Sequence, residues 1–125
     1  MKPRPLIVYI SGPMTGLPAC NYPAFDRKAA ELRALGFEVL NPAEMPRPVR
    51  ADGKTPTHGD YMRSAQRMLL GADVVYLLPG HLTSVGAEAE CHTADSIGAP
   101  GFDDVASLVA FDGSADGIAL RGRAP

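Results

Sequence analysis

The chain has 125 residues, of which 46% are hydrophobic and 21% are charged, and its formal net charge is −2 at pH 7. This length suits a single domain, and the composition is typical of a globular protein. Because the basic residues are scattered and the net charge is small, the sequence argues against a nucleic-acid polymer or a membrane surface as partner. A small molecule is therefore the expected ligand.

Cysteine content and the amino terminus bear on the cellular compartment. Cys20 and Cys91 are the only two cysteines, and their wide separation favours free thiols over a disulfide framework. The apolar run that precedes Ser11 has only five residues, which is too short for a signal-peptide core or a membrane span. We therefore expect a cytoplasmic protein.

The first third of the chain alternates strand and helix signals. A continuous apolar run at 6–10 predicts a buried strand, and residues 21–35 carry apolar side chains at helical spacing. Asn21 is the predicted N-cap of that helix, and Gly36 is its predicted left-handed stop. A second short strand is predicted at 37–40.

A loop is predicted at 46–57, where three prolines, one glycine and four charged residues occur without periodicity. Its position beside the sheet edge suits a lid or a substrate-access role. A connector without a functional role explains the same composition, and both interpretations stay open.

The second half of the chain continues the alternation. A helix is predicted at 58–70, ended by Gly71, and a third buried strand at 74–78. After a Pro-Gly break, the next helix is predicted to open at Ser84. The inner face of the helix at 58–70 is expected to consist of Tyr61, Ala65, Met68 and Leu69.

This β-α-β-loop-α-β-α order, with crossovers suited to parallel strands, predicts an α/β fold. We expect a single-domain, Rossmann-like three-layer sandwich with a small parallel sheet. The domain is predicted to span 1–111 and to end in a helix at 104–111, and the Gly- and Ala-rich segment 112–125 is predicted to be a flexible C-terminal tail.

The turn that leaves the first strand, residues 9–16 (YISGPMTG), is the first candidate for a binding site. Its glycines allow a ligand to approach the backbone, and exposed N–H groups in such turns hold anions. The spacing matches neither a dinucleotide fingerprint nor a phosphate-binding P-loop. A tight turn that merely requires small residues is an equally good interpretation.

The helix that opens at Ser84 carries two carboxylates in different positions. Glu88 lies in the first turn, where it complements the helix dipole, whereas Glu90 points about 200° away from it. Glu90 shares its face with small residues such as Gly86 and Ala94, and a carboxylate on such a face needs a partner or a ligand. A carboxylate nucleophile suits glycosyl transfer, in which it attacks an anomeric carbon.

Other reactive side chains form no specific pattern. The chain lacks the Cys-x₂-Cys and His-x₃-His spacings of metal sites, so no metal is expected. Cys91 follows Glu90 on the predicted helix and is expected to pack against neighbouring residues rather than to act as a nucleophile. Arg63 and Arg67, one turn apart, fit a solvated helix face better than a phosphate site.

Five motifs occur in an order and spacing that resemble one family. They are YISGPMTG at 9–16, NPAE at 41–44, YMR at 61–63, ADVVYLLPG at 72–80 and SxGAxxE at 84–90. Together they resemble the DUF4406 family, small proteins common in phages and prophages. That family is similar to nucleoside 2-deoxyribosyltransferases and to 2'-deoxynucleoside 5'-phosphate N-hydrolases.

The resemblance implies a role for each matching residue. Glu90 corresponds to the nucleophile that attacks C1' of the deoxyribose, and Tyr9 to the tyrosine that orients it and contacts the sugar. The remaining matches are substrate-binding: Ser11, Gly12, Pro13 and Met14 in the nucleoside pocket, and Ser84 and Gly86 in the loop that receives the sugar or its 5' group.

Two departures from the family pattern are visible. The related enzymes carry an aspartate that helps to protonate the leaving base, and Ala65 occupies its place, eight residues before Asp73. General acid catalysis contributes about 10²–10⁴-fold, so its loss is expected to slow base departure severely. Asp60 lies about 140° away around the helix and is not expected to replace it. His81 stands where the family often has a tryptophan; it could supply a proton or only cap the loop, and loop capping is the favoured interpretation.

The resemblance implies cleavage or exchange of the N-glycosidic bond of a deoxynucleoside or its 5'-monophosphate, without a metal or organic cofactor. It also implies a homo-oligomer. A catalytically impaired nucleotide-binding or interaction protein of the same fold is the alternative, and the alanine at position 65 is its main support. A purely structural domain is the third interpretation.

Overall fold

The computed structural model describes residues 4–81 and 84–123, so the first three residues, residues 82–83 and the last two residues of the predicted tail lie outside the described part. Within it the chain alternates between strands and helices, as predicted, up to the last two helices. The strands are β1 (Ile7–Ser11), β2 (Glu38–Leu40), β3 (Val74–Leu77) and β4 (Gly101–Phe102); the helices are α1 (Tyr22–Ala34), α2 (His58–Leu69), α3 (Val85–Ile97), α4 (Val105–Asp112) and α5 (Ala115–Arg121).

The four strands form one parallel sheet in the order β2-β1-β3-β4. In β1, Val8 pairs with Val39 on one side and with Val74 on the other. Because β1 has neighbours on both edges and helices on both faces, its residues 8–11 are buried, which explains its continuous apolar sequence. The predicted α/β architecture is confirmed.

Helices cover both faces of the sheet and create two cores. Ile10 belongs to the larger core, which contains Phe25 of α1 and residues of α4. Tyr9 points to the opposite face, where it packs with Leu69 of α2 and Ala94 of α3. Since successive residues of a strand face opposite sides, the three layers follow from the alternation along β1.

The start of α1 differs from the prediction in one respect. Asn21 is the N-cap residue, but its backbone is left-handed, with φ +60°, and its side chain accepts no capping hydrogen bond. Instead, its amide Nδ2 donates to the Pro13 carbonyl oxygen at 2.9 Å. Ala19 and Cys20 before it are also left-handed. Asn21 therefore ties the turn after β1 to α1 rather than capping the helix.

The segment 112–125, which we predicted as a flexible tail, contains helix α5, so the prediction missed this helix. Ser114 caps it by accepting a hydrogen bond from the Gly117 N–H at 3.2 Å, and Leu120 packs against the larger core. Glycine disfavours helices, which weakened the sequence signal. A Cβ at position 117 would overlap the Phe111 carbonyl oxygen, so the close packing of α5 on α4 requires glycine there.

Three smaller observations complete the fold. The two-residue strand β4 was not predicted because it is too short to produce an alternation pattern. Among residues 4–81 and 84–123, no helix combines the length and the apolar character needed to cross a lipid bilayer. Cys20 and Cys91 are both free thiols.

Candidate functional site

A cavity of about 450 Å³ opens where β1 ends, between the start of α1 and the helices α2 and α3. Ligands of open α/β proteins bind at the carboxyl ends of parallel strands, which is where this cavity lies. Six of the eight residues predicted for the site lie on its wall: Tyr9, Gly12, Met14, Ser84, Gly86 and Glu90.

The turn after β1 forms one side of the cavity because it packs tightly on the neighbouring strand. Gly12 is buried, and a Cβ at this position would lie only 2.8 Å from the Cβ of Leu78. Glycine at this point therefore lets the turn approach the end of β3. The sequence alone left open whether the glycines of this turn serve a ligand or only the chain, and packing accounts for Gly12.

The two other predicted residues of this turn do not contribute to the described cavity wall. Ser11 is fully buried at the end of β1, directly before the turn. Pro13 is half-buried, and its carbonyl oxygen accepts the hydrogen bond from Asn21. A direct contact between a ligand in this cavity and these two side chains therefore remains a prediction from the resemblance.

Helix α3 forms the opposite side of the cavity. Ser84 caps it, as predicted, because its hydroxyl accepts a hydrogen bond from the Ala87 N–H at 3.2 Å. The two glutamates separate as their helical phase predicted: Glu90 is 8% exposed, whereas the side chain of Glu88 is 69% exposed and lies 3.9 Å from His92.

Glu90 is a buried carboxylate whose hydrogen-bonding capacity is not fully satisfied by the described residues. Within the described residues, its Oε2 atom accepts no hydrogen bond, and the neighbouring hydroxyls of Tyr9 and Ser11 make none either. Burial raises the pKa of Glu90 to about 7, although the proximity of both hydroxyls opposes this rise. Burial and the Glu90 charge also raise the pKa of the Tyr9 phenol. These three polar groups together are the chemically unusual feature of the fold.

No second carboxylate faces Glu90 on the described cavity wall. Ala65, which occupies the place of the expected acid, lies on that wall. Asp60 is engaged elsewhere: its carboxylate accepts hydrogen bonds from the Thr57 N–H at 2.8 Å and from Arg50 at 3.0 Å. The prediction that Asp60 does not replace the missing acid agrees with this arrangement.

Sequence reasoning missed the residues at the mouth of the cavity. Arg47 belongs to the loop 46–57, whose composition carries no positional signal, yet it lies on the wall together with Met45. His58, the first residue of α2, lies there as well, and Tyr61 is 38% exposed rather than packed in the core. The spacing of seven residues between His58 and Ala65 was the available signal, because it places both on one helix face.

The remaining candidates lie away from the cavity. His81 contacts the Leu78 carbonyl oxygen through Nδ1 at 3.1 Å, which fits the predicted loop-capping role. Arg63 has a side chain that is 74% exposed and lies 3.6 Å from Asp60. Among the described residues, no group of three or more His, Cys, Asp or Glu side chains is arranged to hold a metal ion.

Comparisons with known proteins agree with the resemblance at the level of the family. No curated protein matches the chain. Residues 6–101 match the family described as "Domain of unknown function (DUF4406)", and this region contains β1 to β3, the whole cavity wall and Glu90. The match covers most of the chain, and the protein therefore belongs to the DUF4406 family.

Proposed function

We propose that the protein cleaves or exchanges the N-glycosidic bond of a 2'-deoxynucleoside or its 5'-monophosphate, with Glu90 as the nucleophile. One observation carries this proposal: Glu90 is more than nine-tenths buried on the cavity wall, yet its Oε2 atom has no hydrogen-bond partner within residues 4–81 and 84–123. A buried carboxylate without a hydrogen-bond partner lowers the stability of the fold. Its presence on the cavity wall therefore favours a functional role for Glu90.

The proposed reaction has two steps. In the first, a carboxylate oxygen of Glu90 forms a bond to C1' while the C1'–N bond breaks, and the electron pair leaves with the base. In the second, a water molecule or the N–H nitrogen of a second base attacks C1' and loses a proton, the ester bond breaks, and Glu90 recovers its carboxylate. The proton that is lost balances the one taken up by the departed base. Water gives hydrolysis and a base gives transfer. Neither step requires a cofactor.

The surroundings of Glu90 suit this task. A pKa of about 7 means that both protonation forms are present near neutrality, and only the carboxylate attacks. The nearby hydroxyls of Tyr9 and Ser11 oppose the effect of burial on the Glu90 pKa and so favour the charged form. We therefore assign Tyr9 as the orienting residue, as the family resemblance implies. We also propose, on sequence grounds, a cytoplasmic homo-oligomer of phage or prophage origin.

The second candidate function is nucleotide binding without turnover. Its specific support is Ala65, which leaves the described wall without a carboxylic acid opposite Glu90. Loss of a general acid lowers the catalytic rate by about 10²–10⁴-fold. A protein with so low a rate can still bind the nucleotide in the same cavity.

Base release distinguishes the two functions. The protein is incubated with each deoxynucleoside and deoxynucleoside 5'-monophosphate, with and without an acceptor base, and free base is measured by chromatography. We expect Glu90→Gln to lower the rate at least about 10³-fold, because the covalent intermediate cannot form. Glu88→Gln is the matched control, since it removes the same charge from an exposed position on the same helix.

The outcomes separate the proposals. Release that disappears in Glu90→Gln but persists in Glu88→Gln supports the enzyme. A raised melting temperature with a nucleotide, together with no base release, supports the binding module. If there is neither base release nor a shift in melting temperature, the result supports the third interpretation, a purely structural domain.

A further inference from the structure

His58 lies on the same face of α2 as the place of the missing acid. Seven residues separate it from Ala65, and at about 100° per residue they differ by only about 20° in direction. Both line the cavity that contains Glu90. His58 lies about 10 Å farther along the helix axis than Ala65, toward the cavity mouth, since a helix rises about 1.5 Å per residue.

The contact between α2 and α3 fixes the relative heights of these residues. A Cβ on Gly86 would lie 3.6 Å from the sulfur of Met62, so these two residues are neighbours across the helix pair. Both helices return from the carboxyl edge of a parallel sheet and therefore run in the same direction. Ala65 and Glu90 each lie about one turn beyond this contact, and His58 lies about one turn before it.

A sugar carbon in contact with Glu90 therefore lies deep in the cavity, and a base that extends from it toward the mouth approaches His58. We propose that His58 is the proton donor to the departing base, in place of the acid that Ala65 does not supply. This inference rests on the proposed function.

The other side chains at the mouth are less suited to donating a proton. Arg47 offers a guanidinium, a group that binds anions in proteins but does not serve as a proton donor in catalysis. Tyr22 and Tyr61 offer phenols, and histidine is the more frequent general acid in enzymes. Apart from the proposed nucleophile Glu90, His58 is the residue of the described wall that carries an imidazole, the side chain that serves most often as a general acid in enzymes.

The proton balance closes without a further reactant. As the C1'–N bond breaks, the His58 imidazolium gives its proton to a ring nitrogen of the base and becomes neutral imidazole. In the second step the attacking water gives a proton to that imidazole while its oxygen bonds to C1', and Glu90 leaves as carboxylate. His58 thus returns to its starting form in each turnover.

A pair of substrates with different leaving groups tests this role. 2'-Deoxyguanosine needs a proton on its leaving base, whereas 7-methyl-2'-deoxyguanosine already carries the compensating positive charge. We expect His58→Gln to lower kcat/KM for the first by about 10²-fold and for the second by less than about threefold. If the protein acts on pyrimidines, 2'-deoxyuridine and 5-fluoro-2'-deoxyuridine serve as the corresponding pair.

Two control variants accompany the test. His92→Gln removes an exposed histidine of α3, and we expect no change in either rate. Tyr61→Phe removes the phenol one turn from Ala65, and we expect the ratio of the two rates to stay unchanged. Because His58 is exposed, we expect His58→Gln to fold normally. Thermal unfolding of the variant and of wild type checks this.

The inference fails if His58→Gln lowers both rates equally or leaves both unchanged, or if Tyr61→Phe alone alters the ratio. These results leave the Glu90 mechanism intact. If the wild-type protein releases no base in a Glu90-dependent manner from any substrate, the proposed function fails and the inference fails with it.

Discussion

Two buried carboxylates lie at opposite ends of the sheet, and their environments differ completely. Asp73 precedes β3 at the amino edge and accepts hydrogen bonds from Arg4 at 2.6 and 3.0 Å and from the Ile7 N–H at 2.9 Å. Arg123 lies 3.3 Å away. Glu90, near the carboxyl edge, has an oxygen without any described partner.

The opposite pKa shifts of the two residues express this difference. Burial alone would raise the pKa of Asp73, but the hydrogen bonds from Arg4 and from the Ile7 N–H outweigh burial and lower it. Burial dominates at Glu90 and raises its pKa to about 7. A satisfied buried carboxylate stabilises the fold, whereas an unsatisfied one lowers stability at neutral pH and is available for a ligand.

Removal of the Asp73 charge is expected to have the largest effect on stability. Asp73→Asn leaves Arg4 without its partner, and breaking a buried ion pair on one side costs about 3–5 kcal/mol. Urea unfolding at pH 7 measures the loss, with Asp95→Asn on the exposed side of α3 as the control. A difference from the control below about 0.5 kcal/mol would contradict the structural role of Asp73.

The advantage of Asp73 over asparagine is expected to depend on pH in a defined direction. Its pKa in the folded protein is below the ordinary value of 3.8, so its contribution is complete above that value. It is lost as the pH falls through the lower folded-state pKa. Thermal unfolding of both proteins between pH 2 and 7 tests this order, and a gap that widens on acidification would refute it.

Replacement of Glu90 is expected to raise the free energy of unfolding, whereas replacement of Asp73 lowers it. Its pKa is about 7 in the folded protein and 4.5 unfolded, so the folded state holds the extra proton between these values. The contribution of Glu90 to the free energy of unfolding therefore falls as the pH rises from about 4.5 to 7, and it is constant above pH 7. The total loss is about 3 kcal/mol, at about 1.36 kcal/mol per pH unit. Glu90→Gln should be up to about 3 kcal/mol more stable than wild type at pH 8.

The control for this prediction is again Glu88→Gln, whose exposed side chain should leave stability nearly unchanged. The curves of stability against pH for wild type and Glu90→Gln should converge at pH 4, because the buried carboxyl group is then protonated. Destabilisation by Glu90→Gln at pH 8 would show that the carboxylate has a stabilising partner.

Of the two arginines near Asp73, Arg123 gives the smallest expected effect. Arg123 has a side chain that is 47% exposed and makes one long contact at 3.3 Å, so Arg123→Ala should cost less than about 1 kcal/mol. Arg4 is bidentate and also donates to the Leu120 carbonyl oxygen at 2.8 Å, so Arg4→Ala should cost more. Equal losses in urea unfolding would mean that α5 depends on both contacts alike.

Much of this arrangement could be predicted from local sequence. The apolar run of β1 and the breakers that follow it predicted the buried strand and the turn of the cavity. Helical phase predicted that Glu90 is buried and Glu88 exposed, because a two-residue separation turns the side chain by about 200°. Ser84 was predicted as an N-cap from its residue type and position.

The missed features depend on contacts between distant parts of the chain. Asn21 looked like an ordinary helix cap, yet its amide reaches Pro13 on the preceding turn. Gly117 weakened the signal of α5 although close packing on α4 requires it. Arg47 carries no periodic signal, because a loop position becomes part of a cavity only when the loop folds back.

Covalent trapping tests the central claim, that Glu90 is a nucleophile, most directly. A 2'-fluoro-arabinonucleoside places an electron-withdrawing atom next to C1', which slows breakdown of a glycosyl–enzyme ester. We predict a mass increase equal to one fluorinated sugar, located by peptide sequencing on Glu90 and absent from Glu90→Gln. An adduct on another residue, or the same adduct in Glu90→Gln, would contradict the account.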